Sequence, residues 1–96
     1  MKSEEIAAIF RSIAQILEIK DENIFRIRAY YRAAETMRGI DNLEERAARD
    51  ALTLIPGIGK DLASKIKEYL STGAIKHYET LKKDIPAGVL ELLDIP

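Results

Sequence analysis

Leu52-Thr53-Leu54-Ile55-Pro56-Gly57-Ile58-Gly59-Lys60-Asp61-Leu62-Ala63-Ser64-Lys65-Ile66 is the stretch on which the fold turns. Its pattern is apolar-x-x-apolar-Pro-Gly-apolar-Gly-x-x-x-Ala-x-x-apolar, and each position has a physical task. Gly57 and Gly59 admit backbone angles that residues with side chains resist, and they leave their amides uncovered. Ile58 between them can enter a core and hold the bend rigid. Ala63 is small, so two helices can pack closely. A helix is expected from Lys60 to Thr72, ended by Gly73. Its unpaired first amides and the positive end of its dipole then face the same point as the bend. An anion, most naturally a phosphate, fits there, and Lys60 adds a charge. Such a contact grips a nucleic-acid backbone without reading base edges. A bare Gly-x-Gly would read as a plain turn between two helices. The complete pattern reads as a DNA-binding helix-hairpin-helix motif.

Working outward, the remaining segments also read as helices. A first helix is expected from Glu4 to about Ile19, with Ser3 as N-cap and Glu4 and Glu5 complementing the dipole. Its Ile6, Ile9, Phe10, Ile13, Ile16 and Leu17 recur at spacings of three and four, which makes one apolar stripe for a core. After the polar break Lys20-Asp21-Glu22-Asn23, with Asn23 or Asp21 as cap, a second helix runs from about Ile24 to Arg38 and stops at a C′ glycine, Gly39. Asp41 and Glu44 have the spacing of a capping box for a short helix over about Asn42 to Asp50. Downstream, a turn of helix is expected at His77 to Lys83, and Pro86 opens a last short helix through Leu93. No segment alternates as a strand would. The expected fold is all-α: one compact domain over residues 1–96, built of five to six short helices, with the hairpin motif at 51–73. Leu92-Leu93-Asp94-Ile95-Pro96 echoes Leu52-Thr53-Leu54-Ile55-Pro56. The echo suggests a second hairpin starting near residue 92, with chance recurrence of a leucine-rich pentamer as the alternative.

Composition narrows the class. The chain has 96 residues, 47% of them apolar, and no cysteine, so neither a disulfide framework nor a thiolate zinc site is possible. The polar start lacks the apolar core of a signal peptide, and no run approaches the ~18 apolar residues of a membrane span. The expectation is a soluble, cytoplasmic monomer with no membrane partner. The net charge of −1 argues against an indiscriminately basic binder. Its distribution is more telling. Residues 24–39 carry Arg26, Arg28, Arg32 and Arg38 against Glu35, and residues 56–83 carry six lysines against three carboxylates. The other three segments are net acidic. If the two basic segments converge in space, the domain has a basic face suited to a polyanion; otherwise the surface is merely mixed.

Ile55-Pro-Gly-Ile-Gly-Lys-Asp-Leu-Ala-Ser-Lys-Ile-Lys-Glu-Tyr-Leu-Ser-Thr-Gly73, preceded by Phe25-Arg-Ile-Arg-Ala-Tyr-Tyr-Arg-Ala-Ala34, resembles the N-terminal eight-kilodalton domain of family X DNA polymerases. The likeness is to the bacterial and archaeal members, in which polymerase and PHP phosphoesterase domains follow, and it covers essentially the whole chain. It implies a repair role: recognition of the 5′-phosphate side of gapped or nicked DNA, tethering the polymerase. The remaining polymerase domains would then be partners within one chain, and any divalent metal would belong to them. In the animal members the domain also removes a 5′-deoxyribose phosphate through a lysine Schiff base. Carried over, Lys65 falls on that lysine, Arg26 on a basic residue that holds the 5′-phosphate, Tyr30 on the tyrosine beside it, and His77 on another lysine of the phosphate pocket. The backbone carbonyls of Thr53, Ile55 and Ile58 fall where the hairpin holds a monovalent cation, Na+ or K+. Two positions depart from the pattern. Asp61 replaces a second pocket lysine, and Phe25 replaces a histidine that stacks on a template base.

The residues themselves leave alternatives open. Lys65 lies at the margin of the apolar side of its helix, defined by Leu62, Ile66, Tyr69 and Leu70, whereas Lys60 and Lys67 lie on the polar side. Lost hydration at such a margin would favour the neutral amine that a Schiff base needs. Asp61, one helical turn earlier, favours the charged form instead. Lys65 is therefore either a nucleophile or a structural or phosphate-contacting lysine. Arg26 and Tyr30 share a helix face and could share a phosphate; alternatively Tyr30 is a core aromatic with its hydroxyl at the surface. Arg28 and Arg32 read as solvated charges. His77 has no second histidine nearby, which disfavours a metal site. Tyr69, Tyr78 and Leu81 read as core. Three functions compete: a DNA-binding module of a repair polymerase, a deoxyribose-phosphate lyase acting through Lys65, and a protein-interaction helical bundle in which the hairpin is only a turn.

Overall fold

The computed structural model describes residues 2–96. The helices are α1 (Lys2–Ile19), α2 (Ile24–Arg38), α3 (Leu43–Ala48), α4 (Lys60–Thr72), α5 (Lys76–Lys83) and α6 (Ala87–Leu92), with one 3-10 turn at Leu52–Leu54. No strand occurs among the described residues. The all-α expectation holds, and most boundaries fall within a residue or two of those read from periodicity.

The apolar stripe of α1 explains its place. Ile6, Phe10, Ile13 and Ile16 are fully buried, joined by Ala7, Ala14 and Leu17. Burying each isoleucine contributes roughly 1.5–3 kcal/mol. Helix α1 packs chiefly along α2 and also touches α4 and α5. From α2 it receives Ile27, Tyr30, Ala33, Ala34 and Met37, with the Phe10 and Tyr30 rings edge to face at 5.7 Å. The hairpin is fastened to the same core by Leu52, Ile55, Ile58, Leu62, Ala63 and Ile66, and α5 by Ile75, Tyr78 and Leu81.

Several ends differ from expectation. Helix α1 begins at Lys2, so Ser3 lies inside it and is buried rather than capping it. The Asp41–Glu44 capping box does not form. Asn42 caps α3 in a left-handed conformation (φ 57°) without a side-chain hydrogen bond, and the Asp41 carbonyl instead accepts from Arg46 Nε at 3.2 Å. Gly39 ends α2 at φ −105°, an ordinary angle, so no left-handed glycine is needed there. Asn23 does cap α2, its Oδ1 accepting from the amides of Phe25 (2.8 Å) and Arg26 (3.4 Å). Gly73, at φ 81°, closes α4 through its N–H to the Tyr69 carbonyl.

Candidate nucleic-acid interface

The bend between the 3-10 turn and α4 is exposed at Pro56, Gly57, Gly59 and Lys60 and anchored from below by Ile58, which is 3% exposed. Ile58 is thus the plug its place between two glycines suggested. Its N–H is spent, donated to the Ile55 carbonyl at 3.0 Å, so Ile58 holds the bend without offering an amide. The amides of Gly57, Gly59, Lys60 and Asp61 have no acceptor among the described residues, and no side chain caps α4. These N–H groups gather where the positive end of a thirteen-residue helix dipole emerges. The carbonyls of Thr53 and Ile58 accept no hydrogen bond among the described residues, and that of Ile55 accepts one of two possible. Carbonyl oxygens with lone pairs to spare are the donor type that a hard monovalent cation takes.

The two glycines differ. Gly57 sits at φ 86°, in the left-handed region, and a methyl group built on it would lie 3.2 Å from Arg32 Nε. Gly59 has ordinary extended angles, φ −87° and ψ −172°, and a methyl group there would meet open space. The backbone therefore demands glycine at Gly57 and not at Gly59.

A second basic cluster forms where α2, α4 and α5 meet. Arg26 stands in the first turn of α2, under the Asn23 cap. His77 stands in the first turn of α5, whose leading amide, Lys76 N–H, is accepted by Glu68 of α4 at 3.0 Å. These two anchors bring Arg26 Nη2 to 3.2 Å from His77 Nε2. Such a contact requires the imidazole to be neutral with Nε2 as acceptor. Lys65 joins from α4; its side chain is 13% exposed, at the apolar margin as expected, and it pairs with Asp61 at 2.7 Å. Burial, then the charges of Lys65 and Arg26, push the His77 imidazole below its ordinary value, and Asp61 opposes them. The hydrogen bond from Lys65 holds the Asp61 carboxyl below the usual carboxylate range, with Arg26 and His77 adding to it. Lys20, paired with Asp84 at 2.6 Å, closes the margin.

The structure thus brings together Arg26, His77 and Lys65 on one side of α4, and Gly57, Gly59 and Lys60 at its tip. The two basic segments meet at the Arg26–His77 contact and again at Arg32–Gly57. Tyr30 is the exception. It is 2% exposed, and its hydroxyl is buried with no hydrogen-bond partner among the described residues, so it offers no surface group to a phosphate in this conformation. The cause is position along α2: Arg26 is at the open end of the helix, whereas Tyr30 lies one turn deeper, beneath Phe10. Phe25, 74% exposed beside Arg26, leaves its ring available for stacking. Sequence reasoning passed over Arg32, whose approach to Gly57 joins positions far apart in the chain and leaves no local signal.

Residues 1–75 match the family model described as a helix-hairpin-helix domain. Over all 96 residues the chain is 32% identical to the DNA polymerase/3'-5' exonuclease PolX of Bacillus subtilis (strain 168), of which it spans 16%, in the N-terminal region. An exposed hairpin with unpaired amides, the match over most of the chain and the likeness over all of it agree: the chain belongs to the helix-hairpin-helix domain family, in the form found at the N-terminus of PolX polymerases.

Proposed function

We propose that the chain binds DNA without regard to sequence, and that it serves as the module by which a repair polymerase recognises the 5′-phosphate side of a gap or nick. The observation that supports this reading is the set of unpaired amides at Gly57, Gly59, Lys60 and Asp61, exposed residues on a bend that Ile58 pins to the core. A backbone phosphate placed there accepts those N–H groups, gains from the α4 dipole and meets the Lys60 ammonium. A Na+ or K+ ion held by the Thr53, Ile55 and Ile58 carbonyls would add positive charge at the same place. The Arg26, His77 and Lys65 cluster would take the second, terminal phosphate, and Phe25 would stack on a neighbouring base. The other domains of the polymerase would be the partners that complete the enzyme.

The test is a titration of gapped DNA with and without a 5′-phosphate at the gap, repeated at several salt concentrations. Binding that weakens steeply with salt supports backbone contact. Preference for the phosphorylated gap, lost in Arg26→Gln, supports the terminal-phosphate site. Salt-independent binding, or none, would leave the protein-interaction bundle as the better reading.

The burial of Lys65 beside Arg26 and His77 favours deoxyribose-phosphate lyase activity as a second reading. Against it stands the Asp61 carboxylate, which accepts a hydrogen bond from the Lys65 ammonium at 2.7 Å; Schiff-base formation needs a free amine lone pair, so this ion pair must first open. Borohydride reduction on DNA carrying a 5′-deoxyribose phosphate decides the point. The expected outcome is little or no adduct with the wild type. An efficient adduct lost in Lys65→Ala would establish the lyase.

A further inference from the structure

Arg32 reads in the sequence as a solvated charge on α2, and its surroundings assign it more than that. Its Nε, Cδ and Cγ stand 3.2, 3.5 and 3.6 Å from the point where a side chain on Gly57 would begin, so the arginine stem crosses directly over the hairpin bend. Among the described residues six basic side chains take carboxylate partners: Lys20 with Asp84, Arg38 with Glu35, Arg49 with Glu45, Lys65 with Asp61, Lys67 with Asp50 and Lys82 with Glu79. Arg32, like Arg28 and Lys60, has no ion pair and no hydrogen bond among the described residues; what sets it apart is its place over the bend. An exposed guanidinium thus lies unpaired over the glycine whose amide is also unpaired.

We propose that Arg32 is a phosphate ligand of the hairpin, closing over the same backbone phosphate that the Gly57 and Gly59 amides and Lys60 approach from the other side. This inference rests on the hairpin reading given above and adds a residue to it. A guanidinium suits the place better than an ammonium. Its planar fork can donate two parallel N–H bonds to phosphate oxygens while its stem keeps to the glycine surface. Gly57 then meets two requirements at once: the positive φ of the bend and the clearance over which the arginine passes. Arg26 and Arg32, six positions apart on α2, are separated by about 9 Å of axial rise. One helix would therefore serve two phosphates, the terminal one through Arg26 and the hairpin one through Arg32.

The competing role is mechanical: the apolar stem covers the glycine and the charge is incidental. Fluorescence anisotropy on a labelled one-nucleotide-gap duplex lacking the 5′-phosphate leaves the terminal-phosphate cluster out of the measurement. Arg32→Met keeps the stem and removes the charge; Arg32→Lys keeps a point charge. Arg38→Gln, at the far end of α2, is the control, and Lys60→Gln reports the hairpin itself. Arg32→Met is expected to weaken binding roughly tenfold or more. It should also make the log–log salt dependence shallower by about 0.9. Arg32→Lys should recover the slope and part of the affinity, and Arg38→Gln should match the wild type. If Arg32→Met binds with wild-type affinity and slope while Lys60→Gln is weakened, the proposal for Arg32 fails and the hairpin reading stands. Weakened binding with an unchanged slope and a lowered melting temperature likewise overturns it in favour of the mechanical role. A wild type that shows no salt-dependent binding overturns both.

Discussion

Gly57 and Gly59 flank the same isoleucine, and their substitution separates folding from binding. Gly57→Ala forces a side chain to φ 86° and presses it against Arg32, so a loss of about 1–2 kcal/mol of stability is expected, with DNA affinity falling too. Gly59→Ala meets neither strain nor crowding. It should leave the denaturation midpoint nearly unchanged and still weaken DNA binding, because a methyl group would keep a phosphate from the bend; unimpaired binding would show that no ligand comes close there. His77 supplies the pH dependence. The folded chain depresses its imidazole below the ordinary 6.5, so between the folded and unfolded values the unfolded state binds more protons. Stability therefore rises with pH across that window and is lost as acidification carries the pH back down through it. Urea midpoints should climb as pH rises toward and through 6.5, and His77→Gln should flatten the rise. A phosphate on Arg26 and His77 reverses the preference, since its charge favours the imidazolium. Affinity for the 5′-phosphorylated gap should accordingly weaken as pH rises and the imidazolium is lost, and much less so in His77→Gln. At this scale the sequence was partly legible. The plug at Ile58, the margin position of Lys65 and its Asp61 partner follow from spacing within one motif or helix. The burial of Tyr30 and the reach of Arg32 do not, because each depends on what another helix lays against it.

Helix ends carry the element-scale lessons. Periodicity located every helix, yet two of the expected caps, at Ser3 and Asp41–Glu44, do not form, and Gly39 ends α2 at the expected place without the left-handed angle, because capping depends on the conformation of a single residue that tertiary packing can override. Three of the helix C-termini are closed by a left-handed aspartate. Asp21, Asp50 and Asp94 take φ of 55°, 53° and 59° after α1, α3 and α6. In each case the next amide reaches back to the helix, Glu22 to the Leu17 carbonyl, Ala51 to Arg46 and Ile95 to Leu90. This is the Schellman arrangement with the usual glycine replaced. Asp21→Gly and Asp94→Gly should each raise stability, by roughly 0.5–1 kcal/mol in chemical denaturation, through relief of backbone strain and of a negative charge at the helix C-terminus. Asp50→Gly should gain less, since Asp50 also holds Lys67 at 2.7 Å. Asn23 presents the opposite case. Asn23→Ala removes the acceptor of the Phe25 and Arg26 amides and should cost about 1 kcal/mol. It also frays the turn that carries Arg26, so discrimination for the 5′-phosphate should fall with it.

On the scale of the whole molecule, a chain of net charge −1 presents a basic face because α2 and the hairpin segment meet. Their charges were visible in the sequence; their meeting depends on the fold. α1 arranges it. Apart from Lys20, which directly follows it, this helix gives nothing to the interface, yet it packs on α2, α4 and α5 and so sets the distance between Arg26 and His77. A cavity in α1, as in Ile13→Ala, should cost about 2–5 kcal/mol and reach the phosphates only by way of the loosened frame. A collection of binding-defective mutants would then sort into two populations by temperature. Lesions in the bend would fail in the cold as well as the warm, whereas those along α1 would bind normally when chilled and let go on warming, far from any nucleotide they touch.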